Sequence, residues 1–254
     1  MTWWRTAASI ATLLGFCISP AEAQTPIRST TVTPAYDWSG LYIGVAMGGT
    51  WSSQDVRTTC TICGQAPGAG RLTDSSVQTS IHGGFNWTVA PSWLAGVEAD
   101  FTWAGLDGSA SDQNRFVDGT VIATGEISWN REVNWIASVR GRLGFAIAPT
   151  TLLYVTGGAA WQSVKYTGLD QFFSLCPNCN SASFSQTQMG WVAGAGMEWA
   201  FADSWIFRAE YLHFDFGGAE QLTRNNAVFP NTTVTFYWRD TSIDVGRIGV
   251  SYKF

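Results

Sequence analysis

The chain has 254 residues and a formal net charge of −5, enough for one domain or one barrel of moderate size. Charged residues make up 13% and aromatics 14%, with 14 Trp, which is about half the usual charged share of a soluble domain. The acidic balance excludes nucleic acid as a partner, since phosphate binding needs a clustered basic surface. Past residue 24 there is no apolar run of roughly 20 residues to form a membrane-spanning helix.

Residues 1–23 read as a cleaved signal peptide. Arg5 supplies the positive start, "TAASIATLLGFCIS" a short apolar stretch, and "AEA" a small-residue cleavage site after Ala23. A lipoprotein anchor at Cys17 is the rival reading, but Phe16 is too bulky for that processing site. Residues 24–37 are polar with two prolines and read as a periplasmic lead-in. Residues 38–254 form the third region, a β-barrel, for the following reasons.

From Trp38 onward, strand-like segments alternate apolar and polar residues with period two. The first is "WSGLYIGVAMGGTW", with Leu41, Ile43, Val45 and Met47 on one face. A long polar stretch from Ser52 to about Ser76 follows, then "VQTSIHGGFNWTV", a short "APS", and "WLAGVEADFTW". A second long polar stretch runs from about Gly105 to Glu126. The fourth segment, "VNWIASVRGRLGF", sets Val133, Trp135, Ala137, Val139, Leu143 and Phe145 against Asn134, Ser138, Arg140 and Arg142. A short "APT" leads to "LLYVTGGAAWQSV", and a third long spacer holds "FFSLCPNCNSASFSQ". Then come "GWVAGAGMEWAF", a short "ADS", and "WIFRAEYLHFDF". The last long spacer covers about Gly217 to Trp238, and "DVGRIGVSYKF" closes the chain.

Eight strands joined by alternating long and short connections predict an all-β, eight-stranded antiparallel transmembrane barrel, with short turns on one side of a membrane and four long loops on the other. A soluble sandwich has no reason to sort its connections this way. The aromatics sort too. Trp87, Trp93, Phe145, Trp199, Trp205, Tyr252 and Phe254 lie beside short turns or at the end of the chain, and Trp51, Trp103 and Trp161 lie toward the long loops. Two such belts match the two headgroup boundaries of a bilayer.

The polar face carries Glu98, Asp100, Arg140, Arg142, Glu198, Arg208, Glu210, Arg247 and Lys253. An eight-stranded barrel has an interior that side chains just fill. These charges are therefore expected to pair as a packed interior network. Gating of a narrow channel is the competing role. Glu98 and Asp100 share a face at i and i+2, but no nucleophile accompanies them, and Arg140 and Arg142 are expected partners on the adjacent strand. No catalytic residues and no cofactor are expected.

Two Cys-x-x-Cys pairs, Cys60 with Cys63 and Cys176 with Cys179, fall in expected outer loops. They fit disulfides within or between loops, a four-cysteine zinc site, or redox activity; export favours disulfides. His82 falls on the polar face. His213 has lipid-facing parity, with Asp215 nearby but no serine at a matching spacing for a lipid hydrolase.

"YDWSGLYIGVAMGGTW", "GGFNW", "WLAGVEADF", "RGRLGF", "LLYVTGGAA", "GWVAGAGMEWAF", "FRAEYLHFDFG" and the final "IGVSYKF" together resemble the outer-membrane immunogenic protein or RopB family of small porin-like barrel proteins in alpha-proteobacteria. The resemblance covers essentially the whole mature chain. It implies an outer-membrane location, lipid and lipopolysaccharide neighbours, and recognition of the last strand, ending in Tyr252 and Phe254, by the barrel-assembly machinery. The family brings no agreed biochemical activity. The chain is thus expected to be a monomeric, non-enzymatic structural and surface protein, with a haem- or metal-binding receptor or a narrow channel as the alternative.

Overall fold

The computed structural model describes residues 36–61, 68–118, 121–172, 176–224 and 233–254. The expected signal peptide and most of the lead-in lie outside these residues. Nine strand segments form one antiparallel sheet: β1 (Gly40–Thr61), β2 (Gly68–Ala90), β3 (Trp93–Asp118), β4 (Val121–Ala148), β5 (Thr151–Phe172), β6 (Cys176–Ala202), β7 (Trp205–Phe216), β8 (Ala219–Arg224) and β9 (Thr233–Lys253). From β1 to β7 each strand pairs with the next, β7 then pairs with β9, and β9 pairs with β1, so the sheet closes on itself. The eight expected strands become nine because one pass is interrupted. β7 pairs with Thr241–Tyr252 of β9 and β8 with Thr233–Trp238, and Gly217 and Gly218 separate the two halves.

The short connections are two-residue turns at 91–92, 149–150 and 203–204. At the first, Pro91 presets its own φ and Ser92 takes a positive φ of 66°, a pairing that reverses the chain tightly. The other end corrects the expectation of long polar loops. The polar stretches after Ser52, Gly105 and Gln162 continue as paired strand, and Thr58 still faces Gly68 across β1 and β2. A membrane crossing needs only about 9–11 tilted residues, yet β4 runs for 28 and β6 for 27. The barrel wall therefore continues well past the apolar zone. Polarity misled the sequence reading because the outward residues of this extension face water while its inward ones, such as Leu72, Leu106 and Val164, are buried.

The outer surface changes character at one level. Below it, outward side chains such as Leu41, Ile43, Val97, Val139, Val155 and Ile248 are exposed and apolar. Trp93 and Trp103 bound this zone on β3. Ten residues at ~3.3 Å, tilted by about 40°, span ~25 Å, the apolar height of an outer-membrane barrel. Irregularities gather at the upper boundary. β3 carries an extra residue between Trp103 and Leu106, with Gly105 at φ 55°, a glycine bulge. The β4–β5 register shifts between Val133 and Trp135, and the β1–β9 register shifts opposite Trp238 and Thr241. The β4 shift corrects one assignment: Val133 is buried inside and Asn134 is exposed, the reverse of their expected faces. An unbroken period of two has no means of announcing an inserted residue.

Candidate functional site: a closed ion network inside the barrel

Along β3, β4, β6 and β7 the even positions point inward below the bulges, and this period-two rule places each charged residue. Glu98 and Asp100 enter from β3, Arg140 and Arg142 from β4, Glu198 from β6, and Arg208 and Glu210 from β7, while Arg247 comes from β9. The structure brings all eight together, each almost wholly removed from solvent. Three pairs are direct cross-strand partners: Glu98 with Arg140, Glu198 with Arg208, and Glu210 with Arg247. Opposite charges at such positions attract without strain on the ladder.

Arg140–Glu210, Arg247–Asp100, Arg142–Glu198 and Arg208–Glu98 reach across the lumen, while Arg140–Asp100 and Arg142–Glu98 are diagonals between β3 and β4. Arg140 lies 3.0 Å from Glu210 and 3.2 Å from Asp100, and Arg247 lies 2.6 Å from Glu210 and 3.3 Å from Asp100. These four form one alternating ring. Glu98, Arg142, Glu198 and Arg208 form a second, through contacts of 3.6, 2.9, 2.7 and 2.6 Å. A close Arg140–Glu98 ion pair joins the rings. Four carboxylates meet four guanidiniums, so the cluster is neutral.

Two tyrosines that sequence reasoning did not assign complete it. The Tyr42 hydroxyl donates to Glu98 at 2.6 Å and accepts from Arg142 at 2.9 Å, and Tyr154 donates to Glu210 at 3.0 Å. The Arg142 guanidinium stacks 4.1 Å from the centre of the Tyr154 ring. The inward parity of both tyrosines was the available signal. Ser138 donates to Asp100, and Ser80 accepts from Arg247. Burial of this many charges is tolerable only when each is paired and hydrogen-bonded. His82 is buried beside the network, 2.8 Å from the Ser251 hydroxyl. Lys253 stands apart at the lower end, 5.7 Å from the Tyr36 ring centre.

Apolar layers close the lumen above and below. Beneath lie Trp38, Leu94, Leu152, Ala200 and Ile206, with Tyr36 packed against them. Tyr36 and Trp38 belong to the expected lead-in and barrel start, and they fold back into the barrel mouth, where the Tyr36 N–H donates to Pro149. Burial beside Glu198 pushes the Tyr36 hydroxyl up to about 12. Above the rings, a polar tier holds Gln54, Tyr166, Gln188 and Gln162 in one hydrogen-bonded chain. Asp74 and Arg131 pair at 2.7 Å nearby, and burial pulls the Arg131 guanidinium below its ordinary value. One apolar cluster begins just above the rings with Leu212, Val245 and Phe214 and continues past this tier to Trp129, Trp238, Phe236 and Leu72.

Of the cysteines, Cys60 lies within β1, and Cys176 and Cys179 fall within β6, not in loops. Cys60 is disulfide-bonded. Cys63 and the side chains of Cys176 and Cys179 lie outside the described residues. Among the described residues no group of three or more His, Cys, Asp or Glu side chains could hold a metal. His213 faces outward as expected, but its acidic partner is Asp244 on β9, at 2.7 Å, and not Asp215. That pairing spans two strands and was invisible to local spacing.

A sheet closed on itself, apolar outside between two aromatic belts and charged within, defines a transmembrane β-barrel of the outer-membrane type. The chain belongs to the family described as "Outer membrane protein beta-barrel domain", whose model matches residues 8–254. It is 27% identical to the 31 kDa outer-membrane immunogenic protein of Brucella melitensis, over 97% of this chain and 98% of that one. It is also 27% identical to the 22 kDa outer membrane protein of Rhizobium leguminosarum bv. viciae, over 74% of this chain and 69% of that one. Among solved structures, OprG of Pseudomonas aeruginosa superposes with a TM-score of 0.50 at 12% identity, covering 87% of this chain and 99% of that one. At that identity the likeness is one of fold. The protein is an outer-membrane protein.

Proposed function

We propose that the protein is a structural and surface-exposed component of the outer membrane, a barrel that carries no through-flow and catalyses no reaction. The carrying observation is the neutral double ring of four carboxylates and four arginines, sandwiched between apolar layers. A conducting lumen would hold hydrated, exposed charges, whereas these side chains are buried. Rigidity of this kind suits a wall element that stabilises the envelope and holds an extended surface above it. Its neighbours would be lipid and lipopolysaccharide, its insertion would depend on the last strand ending in Tyr252 and Phe254, and it would act as a monomer.

Recordings of purified protein in planar bilayers test this reading: silent membranes are expected, and frequent, stable, large-conductance openings would defeat it. For the haem-receptor alternative, His82 is bonded inside the wall and His213 faces the membrane boundary. Titration with haem should give no saturable Soret shift.

A further inference from the structure

One polar cluster interrupts the outward face of the sheet at the height of the outer aromatic belt. Asp244 of β9 is the ladder partner of His213 on one side and of Trp51 on the other. His213 Nδ1 lies 2.7 Å from Asp244 Oδ1, and the Tyr211 hydroxyl donates to the same oxygen at 2.6 Å. Both groups converge on one oxygen, which leaves Oδ2 for a donor from outside the protein. The Asp244 side chain is 38% exposed. Among the described residues, no other outward position from the level of Asp244 and His213 down to the lower belt carries a carboxylate or a permanently charged base, and the next outward carboxylate, Asp215, stands one outward step higher, opposite Trp191. A carboxylate is tolerated at this interfacial height far better than at mid-depth, and with Tyr211 and His213 both on Oδ1 the second oxygen stands as an acceptor at the membrane boundary.

The surroundings specify that partner's chemistry. The six-membered ring of Trp51 lies over Gly49 and Gly246, with its atoms 3.1 Å and 3.5 Å from where a Cβ would stand. Two glycines in register let the indole lie close against the sheet beside Asp244. Tyr211 borders the carboxylate below, and the Trp191 ring centre is 5.5 Å from that of His213. A carboxylate among aromatic rings is the combination that recognises an ammonium ion, through charge attraction together with cation–π contact. From His213 the same ladder row continues through Ala193 to Gly157 and Gly141. At the last two a Cβ would meet nothing nearer than 3.5 Å and 3.9 Å, which leaves a shallow track descending into the apolar zone.

We propose that Asp244, framed by Trp51, Tyr211 and His213, binds the ammonium headgroup of a membrane lipid, one of whose acyl chains lies along the Ala193–Gly157–Gly141 row. The site is independent of whether the lumen conducts.

The test is native mass spectrometry of the full-length mature protein in detergent, titrated with phosphatidylethanolamine or phosphatidylglycerol of identical chains. Wild type should retain the ethanolamine lipid in preference, and Asp244→Asn should lower that retention about tenfold, the scale of a charge-assisted contact reinforced by cation–π attraction. Asp244→Glu should restore it. Trp51→Leu, which leaves the ladder and the interior untouched, should weaken retention severalfold even if Asp244→Asn folds poorly, with folding checked by the mobility shift on boiling. Equal retention of the two lipids by wild type, or a preference unchanged in Asp244→Asn and Trp51→Leu, overturns the proposal. Displacement of the lipid by millimolar free ethanolamine would assign the site to soluble amines and overturn the lipid assignment.

Discussion

Replacing Glu98 by Gln isolates the ion network with almost no change of shape. Glu98 touches Arg140, Arg142 and Arg208 and accepts a hydrogen bond from the Tyr42 hydroxyl, and its side chain is 2% exposed. The amide keeps one acceptor oxygen but turns an NH2 group toward a guanidinium. The cluster then holds four cations against three anions, with no water to dilute the excess. Breaking a buried pair from one side typically costs 3–5 kcal/mol, and Glu98 serves both rings, so a loss of about 4 kcal/mol is expected. Removing the opposite charge as well, with Arg208→Met, restores neutrality at similar volume and should recover about 1–3 kcal/mol of that loss. The assay is reversible urea unfolding in lipid vesicles, followed by tryptophan fluorescence and by the fraction of folded band on unboiled SDS gels. A loss below about 1 kcal/mol, the scale of solvent-exposed pairs, would show that water screens these charges, and the closed-interior reading would fail with it.

Other consequences can be checked alongside. Trp38→Ala should cost about 3–5 kcal/mol in the same unfolding assay, because the indole is 4% exposed within the lower apolar layer; a neutral result would mean the chain start does not seal the mouth. Gly158→Ala should destabilise by about 1–3 kcal/mol, since its Cβ would stand 2.7 Å from the Arg140 Cα and closer still to the Val139 carbonyl oxygen. Gly157→Ala, facing outward with its nearest neighbour at 3.5 Å, should be nearly neutral, and equal effects at the two positions would refute the inside–outside assignment. Mass spectrometry after alkylation should find Cys60 blocked until the protein is reduced, and the labelled partner would identify the connectivity. Asp37, whose carboxyl is held below its ordinary value chiefly by hydrogen bonds from Ser39, contributes stability that is present above its unfolded value near 3.9. That contribution is lost as pH falls through the lower folded value, so Asp37→Asn should flatten the acid limb of a stability–pH curve.

Period two made the membrane zone readable. From Trp93 to Trp103, and again from Trp205 to Tyr211, each side chain stands on the face that simple alternation assigns. All eight charges were found by that rule, and direct pairs such as Glu98–Arg140 follow once neighbouring strands are aligned. The cross-lumen contacts of Arg142 with Glu198 and of Arg140 with Glu210 did not follow. They depend on how a closed sheet coils, which no stretch of sequence expresses. Two other features escaped for different physical reasons. Inserted residues near Gly105 and Asn134 leave hydropathy unchanged while shifting register. The polar upper strands have an inward face buried against Trp129, Trp238 and Phe236, but serine, threonine and glycine on their outward face read as loop. His213 and Asp244 meet only because β7 and β9 are neighbours.

The strand pairing that persists above the bulges constrains how this surface can vary over evolutionary time. A true loop accepts insertions of any size. A hairpin whose alternate residues fill an apolar core accepts them in steps of two, or singly where a bulge absorbs the extra residue as it does near Gly105, because an unabsorbed single residue would turn Leu72 or Phe236 outward and bring a polar neighbour into their place. Length differences among relatives in this region should therefore come as even-numbered increments or as single residues taken up in bulges, and antibodies raised against the folded protein should see a patterned wall of alternate residues that a linear peptide from the same stretch does not reproduce.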